Sequence, residues 1–257
     1  MELLAGLLPA GLGAAPAGLL IVASFFTSAL TAAFGVGGGV AMLALMGLFL
    51  PVAALIPVHG AVQLGSNTGR AWHQRAHIRA EIALPFILGS LAGAAAGAFF
   101  VVQLPDALLK LILGLFIIVV TWASIPGFDR LGRAGITIGS AVTAVITMFV
   151  GATGPLLASF FSKILPNDRK ALIATHAAGM TVQHLLKIVV FGLAGFAFAA
   201  WLPLIAAMIA SGYLGTVYGT RLLAHLPEET FRRWFRIGLT ILAFDLLRQG
   251  AMAVLAS

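Results

Sequence analysis

Two neighbouring stretches, residues 82–102 and 107–125, stay apolar over about the length a helix needs to cross a hydrocarbon core. Inside lipid every backbone N–H and C=O must be satisfied by the protein itself, which leaves helices or a closed barrel. Stretches of this length select helices. The rest of the chain agrees, with 61% hydrophobic and 9% charged residues and a mean hydropathy of +1.08. Soluble domains carry roughly a quarter charged residues. The apolar N-terminal region has Glu2 and no basic flank, and residues 17–34 run directly into a glycine motif. It therefore reads as the first membrane helix rather than a cleaved leader. The absence of cysteine excludes disulfides, thiolate metal sites and cysteine nucleophiles.

Breakers and charge clusters divide the chain into ten helical segments, at about 13–34, 40–50, 52–72, 82–102, 106–126, 133–150, 155–165, 168–192, 199–223 and 230–255. The second and seventh have only eleven residues each, about half a bilayer at 1.5 Å per residue. The two halves, 1–127 and 128–257, align. Gly35-Val36-Gly37-Gly38-Gly39 matches Gly151-Ala152-Thr153-Gly154-Pro155, and each string opens a short segment. Leu55-Ile56-Pro57-Val58-His59 matches Leu172-Ile173-Ala174-Thr175-His176, Leu84-Pro85 matches Leu202-Pro203, and Leu104-Pro105-Asp106 resembles Leu226-Pro227-Glu228. The shared order points to a duplication. Five segments per half is odd, so the copies are expected to be inverted relative to each other.

Basic residues set the expected orientation. Twelve of the fifteen Lys and Arg fall in four clusters. These are Arg70, Arg75 and Arg79; Arg130 and Arg133; Lys163, Arg169 and Lys170; and Arg221, Arg232, Arg233 and Arg236. If all ten segments change side, every cluster is cytoplasmic, as the positive-inside rule requires. If the short segments were re-entrant, the third and fourth clusters would lie outside. Small residues spaced by four, Gly89, Gly93 and Gly97 and then Ser211, Gly215 and Gly219, are expected to let helix backbones approach closely.

With its two glycine-opened half-length helices, a loop proline and a basic loop before Leu84-Pro85, the chain resembles the sulfite exporter TauE/SafE family over nearly its whole length. The resemblance implies an all-α permease of a bacterial cytoplasmic (inner) membrane. It would carry sulfite, sulfonates or related organic anions, typically outward. Family members commonly carry a Gly-Thr-Ser string after each short helix. Here those places read Pro57-Val58-His59-Gly60 and Ala174-Thr175-His176-Ala177, which bears on the substrate more than on the fold.

The residues themselves indicate where a solute would sit. Gly37, Gly38, Gly39, Thr153 and Gly154 precede or open half-helices whose first N–H groups lack intrahelical partners and suit an anion. The alternative is a tight turn with close packing. His59, Gln63, Ser66, Asn67 and Arg70 share offsets with His176, Met180, Gln183, His184 and Lys187, which puts each set on one helix face. Such a stripe must face protein or a watery cavity. Both histidines fall near mid-membrane. There they are expected to donate to an anion's oxygens, with affinity falling as pH rises, although a lone histidine more often has a structural role. Arg70 is expected to snorkel to the interface, and Lys187 either to do the same or to line an outer anion vestibule. Asp245 reads as a local partner of Arg248, with proton coupling as its alternative role.

These readings favour an alternating-access carrier for a small anion, with membrane lipid and protons as further partners. No cofactor or nucleic acid is implied, and a homo-oligomer is left open. The rivals are a passive anion channel, an intramembrane enzyme and a bis-histidine haem protein. No His-Glu-x-x-His, Gly-x-Ser-x-Gly or carboxylate cluster supports the enzyme.

Overall fold

The computed structural model describes residues 8–9, 11–35, 37–99, 105–123, 132–165, 168–222 and 228–255. Arg130, the join between the halves at 127/128, and parts of the aligned strings (Val36, Leu104, Leu226, Pro227) lie outside them. The described residues form ten α-helices. The first half supplies α1 (Ala14–Phe34), α2 (Gly38–Phe49), α3 (Val52–His73), α4 (Ala80–Phe99) and α5 (Asp106–Trp122). The second supplies α6 (Gly132–Val150), α7 (Gly154–Ile164), α8 (Arg169–Leu193), α9 (Leu202–Leu222) and α10 (Glu228–Leu255). Short 3-10 turns at Arg75–His77 and Phe198–Trp201 precede α4 and α9.

Four of these helices, α1, α4, α9 with its preceding turn, and the last part of α10, are long and apolar enough to cross a membrane by themselves. Each turns large apolar side chains outward, among them Phe26, Leu88, Tyr218 and Phe244. The chain is a multi-pass membrane protein. α3 and α8 are long, at 22 and 25 residues, but carry the polar stripes. Those stripes are buried, so lipid does not meet them: Gln63, Ser66, Asn67 and Arg70 lie inside, as do His176, Gln183, His184 and Lys187. α2 and α7 span about half a bilayer, with 12 and 11 residues. They start at Gly38 and Gly154, slightly earlier than the expected 40 and 155, because the turn is already complete at Gly37 (φ 104°).

Contact register gives the helix directions. Gly89 and Gly93 of α4 face the carbonyls of Thr137 and Ala141 of α6, both advancing by four, so the pair is parallel. Ser211 donates to the Ile21 carbonyl and Gly215 faces that of Phe25, which makes α9 parallel to α1. Gly65 and Gly69 face Ile209 and Tyr213, so α3 is parallel to α9 as well. Phe86 packs on Gly179, and Ser90 accepts from Gln183, which aligns α4 with α8. α3 and α8 themselves cross antiparallel, with Gly60 against Lys187 and the Arg79 N–H donating to Thr175. Helices α1, α3 and α9 thus run one way and α4, α6 and α8 the other. α1 and α3 share a direction because α2 reverses the chain between them, and α7 does the same between α6 and α8.

At one end of the molecule the Arg79 guanidinium meets the Asp168 carboxylate at 2.6 Å. The first and third basic clusters therefore lie together. At the close helix pairs there is no room for side chains. A methyl group on Gly89, Gly93 or Gly215 would run into the backbone of the neighbouring helix, as expected for small residues at membrane-helix contacts.

Candidate functional site

The crossing of α3 and α8 and the starts of α2 and α7 surround a small cleft. From the first half Gly37, Gly39, His59, Gln63 and Asn67 line it, and from the second Gly154, His176 and His184. Thr31, Val40, Ala152, Pro155 and Met180 complete the wall. Residues more than a hundred positions apart in the chain are brought together here because both half-helices begin deep inside the protein.

Each half-helix presents an uncapped N-terminus. Neither Gly37 nor Thr153 supplies a side-chain cap. The first intrahelical bonds are made by the N–H groups of Ala41 and Leu157, so those of Gly38, Gly39, Val40, Gly154 and Leu156 have no partner within their helix. Pro155 has none to offer. The same arrangement recurs at both ends of the cleft, where His59 Nε2 is 2.9 Å from the Gly39 carbonyl and His176 Nε2 is 3.0 Å from that of Gly154. A carbonyl only accepts, so Nε2 carries the hydrogen in both rings. Nδ1 of His59, His176 and His184 is buried and has no hydrogen-bond partner. The Gly151 carbonyl also faces the His59 ring, without reaching hydrogen-bond geometry to Nδ1. The His59 and His184 rings meet edge-on at 6.0 Å.

Two cations stand behind this wall. Arg70, 1% exposed, reaches Ser66 Oγ at 3.3 Å and Asn67 Oδ1 at 3.4 Å, and its Nε has no partner. Lys187, fully buried, donates to the Gly151 carbonyl at 2.6 Å. Arg70 faces His176 and Lys187 faces His59 and His184. Among the described residues the ion pairs are Arg79–Asp168 and Arg248–Asp245, so neither buried cation meets a carboxylate. The expectation that Arg70 snorkels to the interface is corrected. The partners offered by Ser66 and Asn67 hold its guanidinium inside, although Arg70 lies in the last turn of α3. Lys187 is likewise inside the protein rather than in an open outer vestibule, because its ammonium is tied to the loop before α7.

Other expected residues sit outside the cleft wall. Gly38 is needed for packing, since a methyl there would strike the Thr27 carbonyl and the Thr31 hydroxyl of α1. Ser66 pairs with Ser28 at 3.1 Å. Thr153 turns to Gln183 at 3.4 Å, and the Gln183 amide donates to Thr143 Oγ1 at 2.8 Å and to the Ser140 carbonyl at 3.2 Å. Asp245 lies on α10, where Arg248 Nη2 at 2.6 Å and Gln249 Nε2 at 3.0 Å hold its carboxylate.

Sequence reasoning missed a hydroxyl stripe. Ser24, Thr27 and Thr31 precede Gly35 at the same spacing as Ser140, Thr143 and Thr147 precede Gly151. All six are buried. The repeat carried this signal, hidden because single hydroxyls hardly interrupt an apolar helix.

The sulfite exporter TauE/SafE profile matches residues 20–246. The chain belongs to the sulfite exporter TauE/SafE family. No curated protein and no solved structure matches it. Together with its apolar helices, this membership makes the chain a membrane permease, and the matched residues run from α1 to α10, taking in both half-helices and the whole cleft.

Proposed function

We propose that this TauE/SafE permease is a secondary transporter for a small anion, either sulfite, a sulfonate, another organosulfur anion or a carboxylate. It would act in a bacterial inner membrane. The observation that carries the reading is the pair of buried cations, Arg70 and Lys187, behind a cleft ringed by histidines and two uncapped helix N-termini. A buried charge without a counter-charge is costly, several kcal/mol even after relaxation. An anion in the cleft brings negative charge close to both cations. The free N–H groups of α2 and α7 offer hydrogen bonds to its oxygens, and His59, Asn67 and His176 are placed to read its outline.

Alternating access follows from how the halves are built. Helices α1, α3 and α4 run opposite to their counterparts α6, α8 and α9, which supports reading the halves as inverted repeats meeting at the cleft. Rocking of one half against the other would open it to either side. Uptake into proteoliposomes from a panel of sulfite, methanesulfonate and small carboxylates tests the proposal. Saturable uptake of at least one of these is expected. Unsaturable conduction that persists when the ion gradients are collapsed would indicate a passive channel, and no flux or binding for any anion would overturn the reading.

A further inference from the structure

The hydrogen-bond pattern at the two histidines constrains more than shape. Nε2–H of each ring is committed to a glycine carbonyl, at 2.9 Å for His59 and 3.0 Å for His176. In a neutral imidazole the other nitrogen is then a lone pair, an acceptor and not a donor. Nδ1 of His59 and His176 meets no donor among the described residues and is shut off from solvent. An anion's oxygens are acceptors too. Placed against such a wall, an anion and the lone pairs would face each other with no hydrogen between them.

Among the described residues no neighbouring side chain supplies a hydrogen to these nitrogens. His59 faces Lys187 and His184, His176 faces Arg70 and His184, and His184 faces Lys187. The Lys187 ammonium is turned to the Gly151 carbonyl and the Arg70 guanidinium to Ser66 and Asn67. Helices α1 and α2 carry no charged residue, and α7 carries only Lys163 near its far end. Among the described residues no group of three or more His, Asp or Glu side chains is placed to hold a metal ion.

We propose that the site binds its anion together with a proton, which is held on Nδ1 of His59 or His176. This rests on the anion reading above and extends it. The proton comes from the aqueous side to which the cleft opens. It converts one Nδ1 from acceptor to donor, and the new N–H donates to the anion. A proton on the ring adds positive charge next to Lys187 or Arg70, and the anion brings the compensating negative charge, so each favours the other's binding. On release to the opposite side both leave, and Nδ1 returns to a lone pair. A monovalent anion then crosses as an electroneutral pair, driven by a pH gradient and indifferent to membrane potential.

The test is titration calorimetry of the full-length protein in nanodiscs with sodium methanesulfonate, an anion too weakly basic to take the proton itself. Repeating it in buffers of different ionisation enthalpy gives the protons taken up per anion. About one is expected, with affinity falling roughly tenfold per pH unit for one linked proton. In the double variant His59→Gln, His176→Gln, an amide N–H can still donate to each glycine carbonyl but neither side chain can take up a proton. Proton uptake and the pH dependence should vanish there. Wild-type binding without proton uptake overturns the proposal, as does full uptake by a folded double variant; the wild-type titration decides alone if that variant does not fold. If methanesulfonate, sulfite and acetate all fail to bind, the anion reading falls and this proposal falls with it.

Discussion

Replacing Arg70 by Met separates a binding charge from a structural one, because the two roles predict opposite signs. The guanidinium is 1% exposed, its hydrogen bonds to Ser66 and Asn67 are long, at 3.3 and 3.4 Å, and Nε has none. Burial of the charge is therefore poorly offset by the protein's own groups. Substituting a well-packed apolar side chain for a buried ion is often neutral or stabilising by about 1–4 kcal/mol. At roughly 2–4 °C per kcal/mol for a chain of this size class, the apparent Tm should hold or rise by several degrees. Binding should move the other way. Arg70 stands behind Asn67 and faces His176, so its effect on an anion in the cleft is Coulombic. Unit charges about 6–8 Å apart at an effective permittivity of ~20 interact by about 2–3 kcal/mol. Losing that weakens the anion roughly 30- to 150-fold. A thermal-shift series against anion concentration reads both effects, since a ligand raises Tm according to its occupancy of the folded state. A variant that is less stable yet binds the anion as tightly as wild type would show that Arg70 is a structural residue and refute the reasoning.

Three further outcomes are expected. Single cysteines at Asn167, which lies outside the described residues, and at Ala194, which follows α8, should be labelled differently by an impermeant thiol reagent on intact cells. Position 194 reacts and position 167 is spared if the third basic cluster is cytoplasmic; the reverse would end the assigned orientation. Asp245→Asn should lower thermal stability by an amount typical of a partly exposed ion pair, up to about 1 kcal/mol, and leave the pH response of transport intact, since Arg248 and Gln249 already hold the carboxylate. Loss of the response to an imposed pH gradient would instead make it the proton carrier. The Ala171 N–H, and then the Arg79 guanidinium, hold the Asp168 carboxyl below the usual carboxylate range. A carboxyl with a depressed folded value stabilises the protein above its unfolded value and loses that contribution as pH falls through the folded one. The Tm difference between wild type and Arg79→Ala should therefore be present near neutrality and close as pH drops below about 4; a difference that persists there would mean the contact is not ionic.

What the sequence disclosed and what it hid divide along a physical line. Periodicity and length disclose helices, so all ten segments are recovered within a few residues. The paired glycine strings disclose where the chain turns into each short helix, since a positive φ such as that of Gly37 or Gly151 is available at little cost only to glycine. The offsets of His59 and His176 disclose that two polar faces oppose each other, and both rings do line one cleft. Partner choice within those faces is hidden. Gln183 and His184 are adjacent in sequence, yet the Gln183 amide is held by Thr143 and the Ser140 carbonyl while His184 lines the cleft. That division depends on where α6 packs. Burial of Arg70 is hidden for a related reason. Three residues from the end of its helix is within snorkelling reach of the interface, and the Ser66 and Asn67 partners hold it inside. The tautomers are further still from the sequence, because the direction of each Nε2–H follows from one carbonyl per ring, contributed by the half-helix and not by the helix that carries the histidine. The duplication made the histidines visible as a pair, and the glycine carbonyls determine which nitrogen of each is left without a partner.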